Sequence, residues 1–229
     1  MSKDYCHFLR RSKMIKIENT DVIGWEHAIR GTRNPMNSWA KSDSSSELTG
    51  YCVGKNDHDL MMRLRNAGTD HRKFMRMITV YTDITAPLYW WKEYDTYKVG
   101  TVTNSCSTMH KIHSKEFVLD DFSHEHLIDG EFITHNDYGY LSPIRCLKEQ
   151  IFTLNMFREM YLETKDKTWW WQMIQLLPSS YNQKRTVMLN YEVLANIYKS
   201  RKDHKLDEWR GFCIWIQKLP YSELITNED

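Results

Sequence analysis

The sequence has no apolar run near the ~20 residues that a membrane-spanning helix needs. It has no CxxC pair: its five cysteines (Cys6, Cys52, Cys106, Cys146 and Cys213) are odd in number and widely spaced. That argues against a zinc ribbon or a disulfide scaffold and points to a reducing, cytoplasmic setting. The N-terminal Met-Ser-Lys-Asp-Tyr carries no apolar stretch of the kind a secretion signal uses. No glycine-rich phosphate loop is present. There is also no charge excess: the formal net charge is +1, which leaves no electrostatic case for a nucleic-acid or membrane-surface partner. What remains is a globular composition, 41% hydrophobic and 27% charged, in 229 residues. A chain of that length fits one domain with a substantial core, or at most two small ones; a single domain, 1–229, is expected.

Aromatic residues are what the chain has in excess. Nine Trp and thirteen Tyr, clustered as in Trp90-Trp91 and Trp169-Trp170-Trp171, suit large buried faces, subunit interfaces or a flat ligand. Taken in order, Lys13–Glu18 alternates as a first strand, and Asn19 or Thr20 caps a helix from about Asp21 to Arg30, ended by Gly31. Residues 32–56 are rich in Ser, Asn, Gly and Asp and read as a long loop. A second helix runs from Asn56 or Asp57 to Gly68. Ile78, Val80 and Ile84 share one parity and Tyr81 and Asp83 the other, which predicts a half-buried strand over 78–85. Pro87 sits where the first position of a helix to about Tyr97 is expected, stopped by Gly100. Residues 101–113 lack a clear period, and 115–143 read as an acidic, loop-rich insertion. Helices are then expected at about Ile144–Glu163, Thr168–Leu177, Arg185–Ser200 and Leu206–Lys218.

Few groups have the spacing that chemistry demands. Asp120, Asp121, His124 and His126 have ligand chemistry, but their spacing matches no strong metal pattern, and solvated loops carry such residues routinely. Cys106, in Asn-Ser-Cys-Ser-Thr, has no base placed beside it by the sequence; free cysteines are usually small core residues. His71, with Arg72, Lys73 and Arg76, reads either as a solvated connection or as a cationic rim for a phosphate or a flavin pyrophosphate. Asn190 and Arg201, eleven residues apart in the expected helix, return to one face at about 100° per residue, while Asn196 lies about 120° round from Asn190. On pattern alone these three are a surface face.

The order from Asp57 to Lys111 is helix, Gly, a His-containing turn, an alternating strand, Ala86-Pro87, an aromatic helix, a basic motif, then a polar Asn/Ser segment. It resembles that of the flavin-dependent thymidylate synthases. His71 stands where that family has the His of its G-H-x-S/T-P-F-E-H turn. Counted from Leu177-Pro178, Asn190, Asn196 and Arg201 fall at two flavin-contacting asparagines and at the arginine that reaches flavin and nucleotide. The resemblance implies an α/β (α+β) fold, a small mixed or antiparallel sheet flanked by long helices, with loop insertions near 32–56 and 115–143. It implies FAD as cofactor, with NADPH and methylene-tetrahydrofolate if the full reaction is retained, and methylation of dUMP to dTMP in a homotetramer. Asn190, Asn196, His71 and Lys98 would contact flavin or phosphate. Arg201 would bridge flavin and pyrimidine, and Ser107 or Cys106 would lie beside the nucleotide.

The sequence also departs from the family pattern. The R-H-R of the R-H-R-x7-S signature falls on Thr96-Tyr97-Lys98, and its serine on Cys106, or on Ser107 with one inserted residue. Glu93 replaces a glutamine, Glu192 an arginine and Lys205 a histidine. Planar guanidinium groups deliver forked hydrogen bonds that Tyr and Lys do not copy, and a glutamate near a phosphate repels it. Either Arg72, Arg76 or Arg185 takes over these roles, or the chain has become a non-catalytic scaffold that binds a nucleotide or a protein partner.

Overall fold

A computed structural model describes residues 15–48, 50–130, 132–133 and 140–227. Cys6, the start of the first expected strand at Lys13, and His135 and Gly139 of the acidic insertion lie outside the described residues. The described chain divides into two compact units, each assembled from separated segments: Thr85–Tyr94 with Ser105–Arg185, and Ile17–Ile84 with Asp95–Asn104 and the chain from Thr186 onward.

A small antiparallel sheet contributes most of its residues to the second unit. Its strands are β1 (Lys16–Ile23), β4 (Thr79–Pro87), β8 (Asn182–Asn190) and β5 (Val102–Ser105), in the order β1-β4-β8-β5. The alternation predicted for β4 is present: Val80, Thr82 and Ile84 are buried, whereas Tyr81 is exposed. Thr82 is tolerated on the buried parity because its hydroxyl donates to the Glu18 carbonyl at 3.0 Å. Asp83 ties three strands together, accepting from Asn19 Nδ2 at 2.9 Å and from Thr186 Oγ1 at 2.7 Å.

Helices α1 (Trp25–Arg33), α2 (Lys55–Asn66), α7 (Tyr191–Arg201), α8 (Asp207–Ile216) and α9 (Glu223–Thr226) belong to the same unit. Their inward faces bury Ala28, Ile29, Met61, Leu194, Ile197, Trp209, Phe212 and Leu224. The first helix starts later than expected. Asp21–Ile23 continue β1, and the helix begins after Gly24, whose φ of 96° and close approach to the Met77 carbonyl leave no room for a Cβ. Gly31 lies inside that helix rather than at its end.

The stretch 32–56 is not a structureless loop. It holds two single 3-10 turns, Asn34–Met36 and Trp39–Lys41, and a hairpin of β2 (Ser45–Glu47) and β3 (Gly50–Cys52). Asp57, buried in the first turn of α2, gathers it. Its carboxylate accepts from Arg33 Nε at 2.6 Å, from the hydroxyls of Ser42 and Ser44 at 2.6 and 2.7 Å, and from the amides of Asp43 and Ser44.

In the first unit, α3 (Leu88–Tyr94) buries Trp90, Trp91 and Tyr94 completely, with Trp90 and Trp91 packed edge to face at 4.9 Å. Pro87 ends β4 rather than opening the helix, and the helix stops at Tyr94 instead of Tyr97. The polar stretch after Gly100 contains β5 and the short α4 (Thr108–Lys111). The acidic insertion holds a 3-10 turn at Leu119–Asp121 and a small hairpin, β6 (Phe132–Ile133) with β7 (Tyr140–Leu141). Helices α5 (Pro143–Thr164) and α6 (Lys167–Leu176), with Asp166 capping the second, match the expected boundaries closely. A core of Phe117, Phe122, Leu147, Ile151, Leu154 and Met173 fills this unit.

The helix expected from Arg185 to Ser200 is two elements. Residues up to Asn190 form β8, and α7 begins at Tyr191. Val187 and Leu189 alternate inward as strand residues do, but the adjacent Met188 blurs the period, and a short apolar run does not separate strand from helix by periodicity alone.

Burial by itself would push the Asp57 carboxyl up, but the hydrogen bonds from Ser42, Ser44, Arg33 and the Asp43 amide outweigh it and hold the group below the usual aspartate range. A group whose folded pKa is depressed adds stability above its unfolded pKa and loses that contribution as pH falls through the folded value. Asp57→Asn is therefore expected to lower stability at pH 7 by about 2–3 kcal/mol in urea denaturation, with the gap to wild type closing in acid. Equal midpoints at neutral pH would show that this network carries no net stability.

Candidate functional site

Helix α7 organises the candidate site in the second unit. Asn190 lies outside the helix as its N-cap, so it does not share a helix face with Arg201, which is the last helical residue. The Asn190 side chain accepts from the Val193 amide at 3.1 Å and reaches the Gly100 carbonyl at 3.5 Å. Gly100, at φ 77°, lies so close that a Cβ there would meet the Asn190 amide nitrogen at 2.9 Å.

Further along α7, Ala195, Asn196, Tyr198, Lys199 and Lys202 line one side of a cleft of about 380 Å³. The i, i+3 and i+7 spacing of Ala195, Tyr198 and Lys202 puts a single helix face along it. Arg65 of α2, Arg72 and the Ile225–Asn227 segment complete the lining. Arg65 is buried and ties the C-terminal segment in place, donating to the carbonyls of Leu224 and Asn227. Four cationic side chains around one cleft make it a place for an anion. One buried donor there, Arg72 Nε, makes no hydrogen bond.

Arg72 and Arg76 belong to a six-residue 3-10 turn, Arg72–Met77, which follows directly on His71 without a side-chain cap from it. Both face Glu192, the second residue of α7, which is only 8% exposed. Glu192 Oε1 lies 3.4 Å from Arg72 Nε and 3.4 Å from Arg76 Nη2, while Oε2 accepts from Arg76 Nε. The hydrogen bond from Glu192, followed by its charge, holds the Arg76 guanidinium above its ordinary pKa. The glutamate found where the family has an arginine is thus neutralised internally by the basic run after His71. The third substitute arginine, Arg185, lies in the first unit, stacked 4.3 Å over the Trp91 ring with its Nε on Gln183.

Arg201 is also engaged within its unit. Its Nε donates to the Tyr97 hydroxyl and its Nη1 to His204 Nε2, both at 2.9 Å. Its guanidinium stacks 4.7 Å from the centre of the Trp209 ring. Tyr97 is the residue that stands at the middle of the eroded R-H-R motif. Sequence reasoning missed this cluster because no local pattern links positions 97, 201, 204 and 209. Lys98 and His71 are exposed.

Cys106 and Ser107 belong to the first unit, in a separate cleft of about 480 Å³ with Lys111, Lys115, Tyr181 and Lys184. Cys106 is exposed, and its backbone is clamped between the Lys184 carbonyl and the Gln183 side chain. Ser107 caps α4, accepting from the His110 amide at 3.0 Å. Burial, then the charges of Asp121 and Cys106, raise the Tyr181 hydroxyl, so it remains a hydrogen-bond donor at neutral pH. Cys213, by contrast, is buried and its thiol is pushed up to about 12. Among the described residues, no three His, Cys, Asp or Glu side chains converge as a metal site, and no helix is long and apolar enough to cross a membrane.

Arg201→Lys is expected to lower stability by about 1 kcal/mol, since an ammonium cannot both stack on Trp209 and serve Tyr97 and His204. Tyr97→Phe, which removes one hydrogen bond and keeps the ring, is expected to cost less. Thermal melts of the two variants beside wild type check the ranking.

No protein-family model matches the sequence, and no curated protein does either. Solved structures do. Thymidylate Synthase X (ThyX) from Helicobacter pylori, with FAD and dUMP, is similar with a TM-score of 0.66 at 15% identity, covering 94% of this chain and 98% of that one. A second structure of flavin dependent thymidylate synthase ThyX from the same organism, also complexed with FAD and dUMP, gives 0.63 at 15% identity over 93% and 98%. The UMP/dUMP methylase PolB from Streptomyces cacaoi, bound with 5-Br UMP, gives 0.59 at 14% identity over 93% and 94%. The chain has the fold of the flavin-dependent thymidylate synthases.

Proposed function

We propose that this chain is a flavin-dependent thymidylate synthase-like protein that binds FAD and a pyrimidine nucleotide, dUMP. The observation that carries the reading is the cationic cleft beside Asn196, on a fold whose solved examples hold FAD and dUMP. The residues present fit a diphosphate: Arg72 brings a guanidinium to the lining with its Nε paired to Glu192 at 3.4 Å, Lys199 and Lys202 add positive charge, and Asn196 offers an amide that both donates and accepts. Asn190 would orient the flavin from the N-terminal end of α7, with His71 and Lys98 contributing donors at the rim. Arg201, already oriented by Tyr97 and His204, would bridge flavin and pyrimidine. In the first unit's cleft, Ser107 and Cys106 would lie beside the nucleotide, with Lys111 supplying charge for a phosphate, while Lys115 there pairs with Asp121. Bound reduced FAD would supply the hydride, and methylene-tetrahydrofolate the one-carbon unit, for methylation of dUMP, with NADPH as reductant. The protein's share is orientation and electrostatics. A cytoplasmic homotetramer completes the proposal.

A second reading, a non-catalytic scaffold that holds a nucleotide or a protein partner, is favoured by the internal use of the arginines. Arg76 and Arg72 face Glu192, and Arg201 faces Tyr97, His204 and Trp209. In a site that must polarise a pyrimidine, guanidinium groups serve the substrate instead.

The purified protein is expected to show a flavin absorbance band, either co-purified or restored by adding FAD, which shifts when dUMP is added. Lys199→Glu, a charge reversal in the cleft, is expected to weaken FAD binding by about tenfold or more without changing the circular dichroism. A colourless protein that gains no thermal stability from FAD or dUMP would sink the reading. Where FAD binds, conversion of dUMP to dTMP with the folate and NADPH separates the enzyme from the scaffold.

A further inference from the structure

We infer that Glu192 is a positioning residue for the cationic cleft: its buried carboxylate holds the Arg72 guanidinium at the cleft wall, so that affinity for a diphosphate depends on a negative charge set behind it. The inference rests on the reading of that cleft as the FAD diphosphate site.

Three observations carry it. Glu192 lies one turn before Asn196 on α7, at the i, i+4 spacing that puts both on one helix face. Its two oxygens serve both arginines: Oε2 accepts from Arg76 Nε, and Oε1 lies 3.4 Å from both Arg76 Nη2 and Arg72 Nε. Arg72 is the one member of this trio that also lines the cleft, and its Nε is buried without a hydrogen bond. Its Nε is held by the charge of Glu192 at 3.4 Å, on the side turned away from solvent. A buried carboxylate is costly unless balanced, and here the first turn of α7 and two guanidinium groups balance it. Arg76, whose side chain is 61% exposed and turned to solvent, supplies neutralisation from outside. The net result is a cation fixed in place before any ligand arrives, which removes the rotamer entropy that a free arginine would lose on binding.

Coulomb attraction alone makes the opposite forecast. If Glu192 acted only as a nearby negative charge, its removal would tighten binding of an anion. If it positions Arg72, its removal weakens binding even though the cleft becomes more positive.

The test is FAD titration, followed by flavin fluorescence, of wild type, Glu192→Gln, Glu192→Asp, Arg72→Gln and the double variant Glu192→Gln/Arg72→Gln. Titrations run well below each melting temperature, with circular dichroism checked for each protein. Glu192→Gln is expected to raise the Kd about tenfold, and Glu192→Asp to recover part of the loss. The double variant is expected to bind no more weakly than Arg72→Gln, because both changes remove one interaction. Binding by Glu192→Gln that equals or exceeds wild type, or fully additive losses in the double variant, overturns the inference while leaving the FAD site intact. Should Glu192→Gln fail to fold, Glu192→Asp decides: it retains the charge on a shorter stem, and wild-type affinity with no loss at all overturns the inference. Wild-type protein that binds no FAD overturns the reading of the cleft, and the inference with it.

Discussion

A carboxylate almost out of solvent, facing two guanidinium groups, is the constraint on which the second unit's site depends. Glu192 occupies the first turn of α7, where the helix dipole favours a negative charge. It is buried, so its charge demands partners. Those partners come from the 3-10 turn Arg72–Met77, and the same turn carries Phe74 and Met75 into the core. Ion pair and hydrophobic contact therefore fix one relation between turn and helix, and that relation sets the wall of the cleft beside Asn196.

The same economy recurs elsewhere in the molecule. Arg33 is satisfied by Asp57, Arg65 by carbonyls of the C-terminal segment, Arg185 by the face of Trp91, and Arg201 by Tyr97, His204 and Trp209. Each guanidinium meets a planar or forked partner, the arrangement for which arginine is better suited than lysine. The lysines tell the other half: Lys199 and Lys202 line one cleft, and Lys111, Lys115 and Lys184 the other, bringing charge to surfaces rather than to the interior. The aromatic excess is divided in the same way. Trp90, Trp91, Trp209 and Tyr94 are wholly buried, whereas Trp171 remains half exposed on α6.

Much of the fold was legible in the sequence. The long helices at 143–164 and 167–176, the helix opening near Asp57 and the parity of β4 all follow from local periodicity and capping, which act within a few residues. The candidate asparagines were legible only as positions. Asn196 does line a cleft, but Asn190 is a helix cap, because the strand preceding it competes with the helix that its spacing suggested. The stretch 32–56 read as loop because its organisation comes from one residue beyond it, Asp57, whose carboxylate collects donors from Ser42, Asp43 and Ser44.

By itself, then, the sequence determined the long helices, the parity of β4, the near-neutral charge and which residues were candidates for a site, since all of these depend on composition and on neighbours a few positions apart. Only the tertiary structure decided what those candidates meet. The glutamate at 192 reads as repulsion in the sequence and as a neutralised anchor in the fold, because residues 116 and 120 positions away in the chain are brought against it. Tyr97 reads as the loss of a histidine and becomes the acceptor for Arg201, 104 positions away. Electrostatic and hydrogen-bond partners are chosen by distance in space, and spacing along the chain carries no record of it.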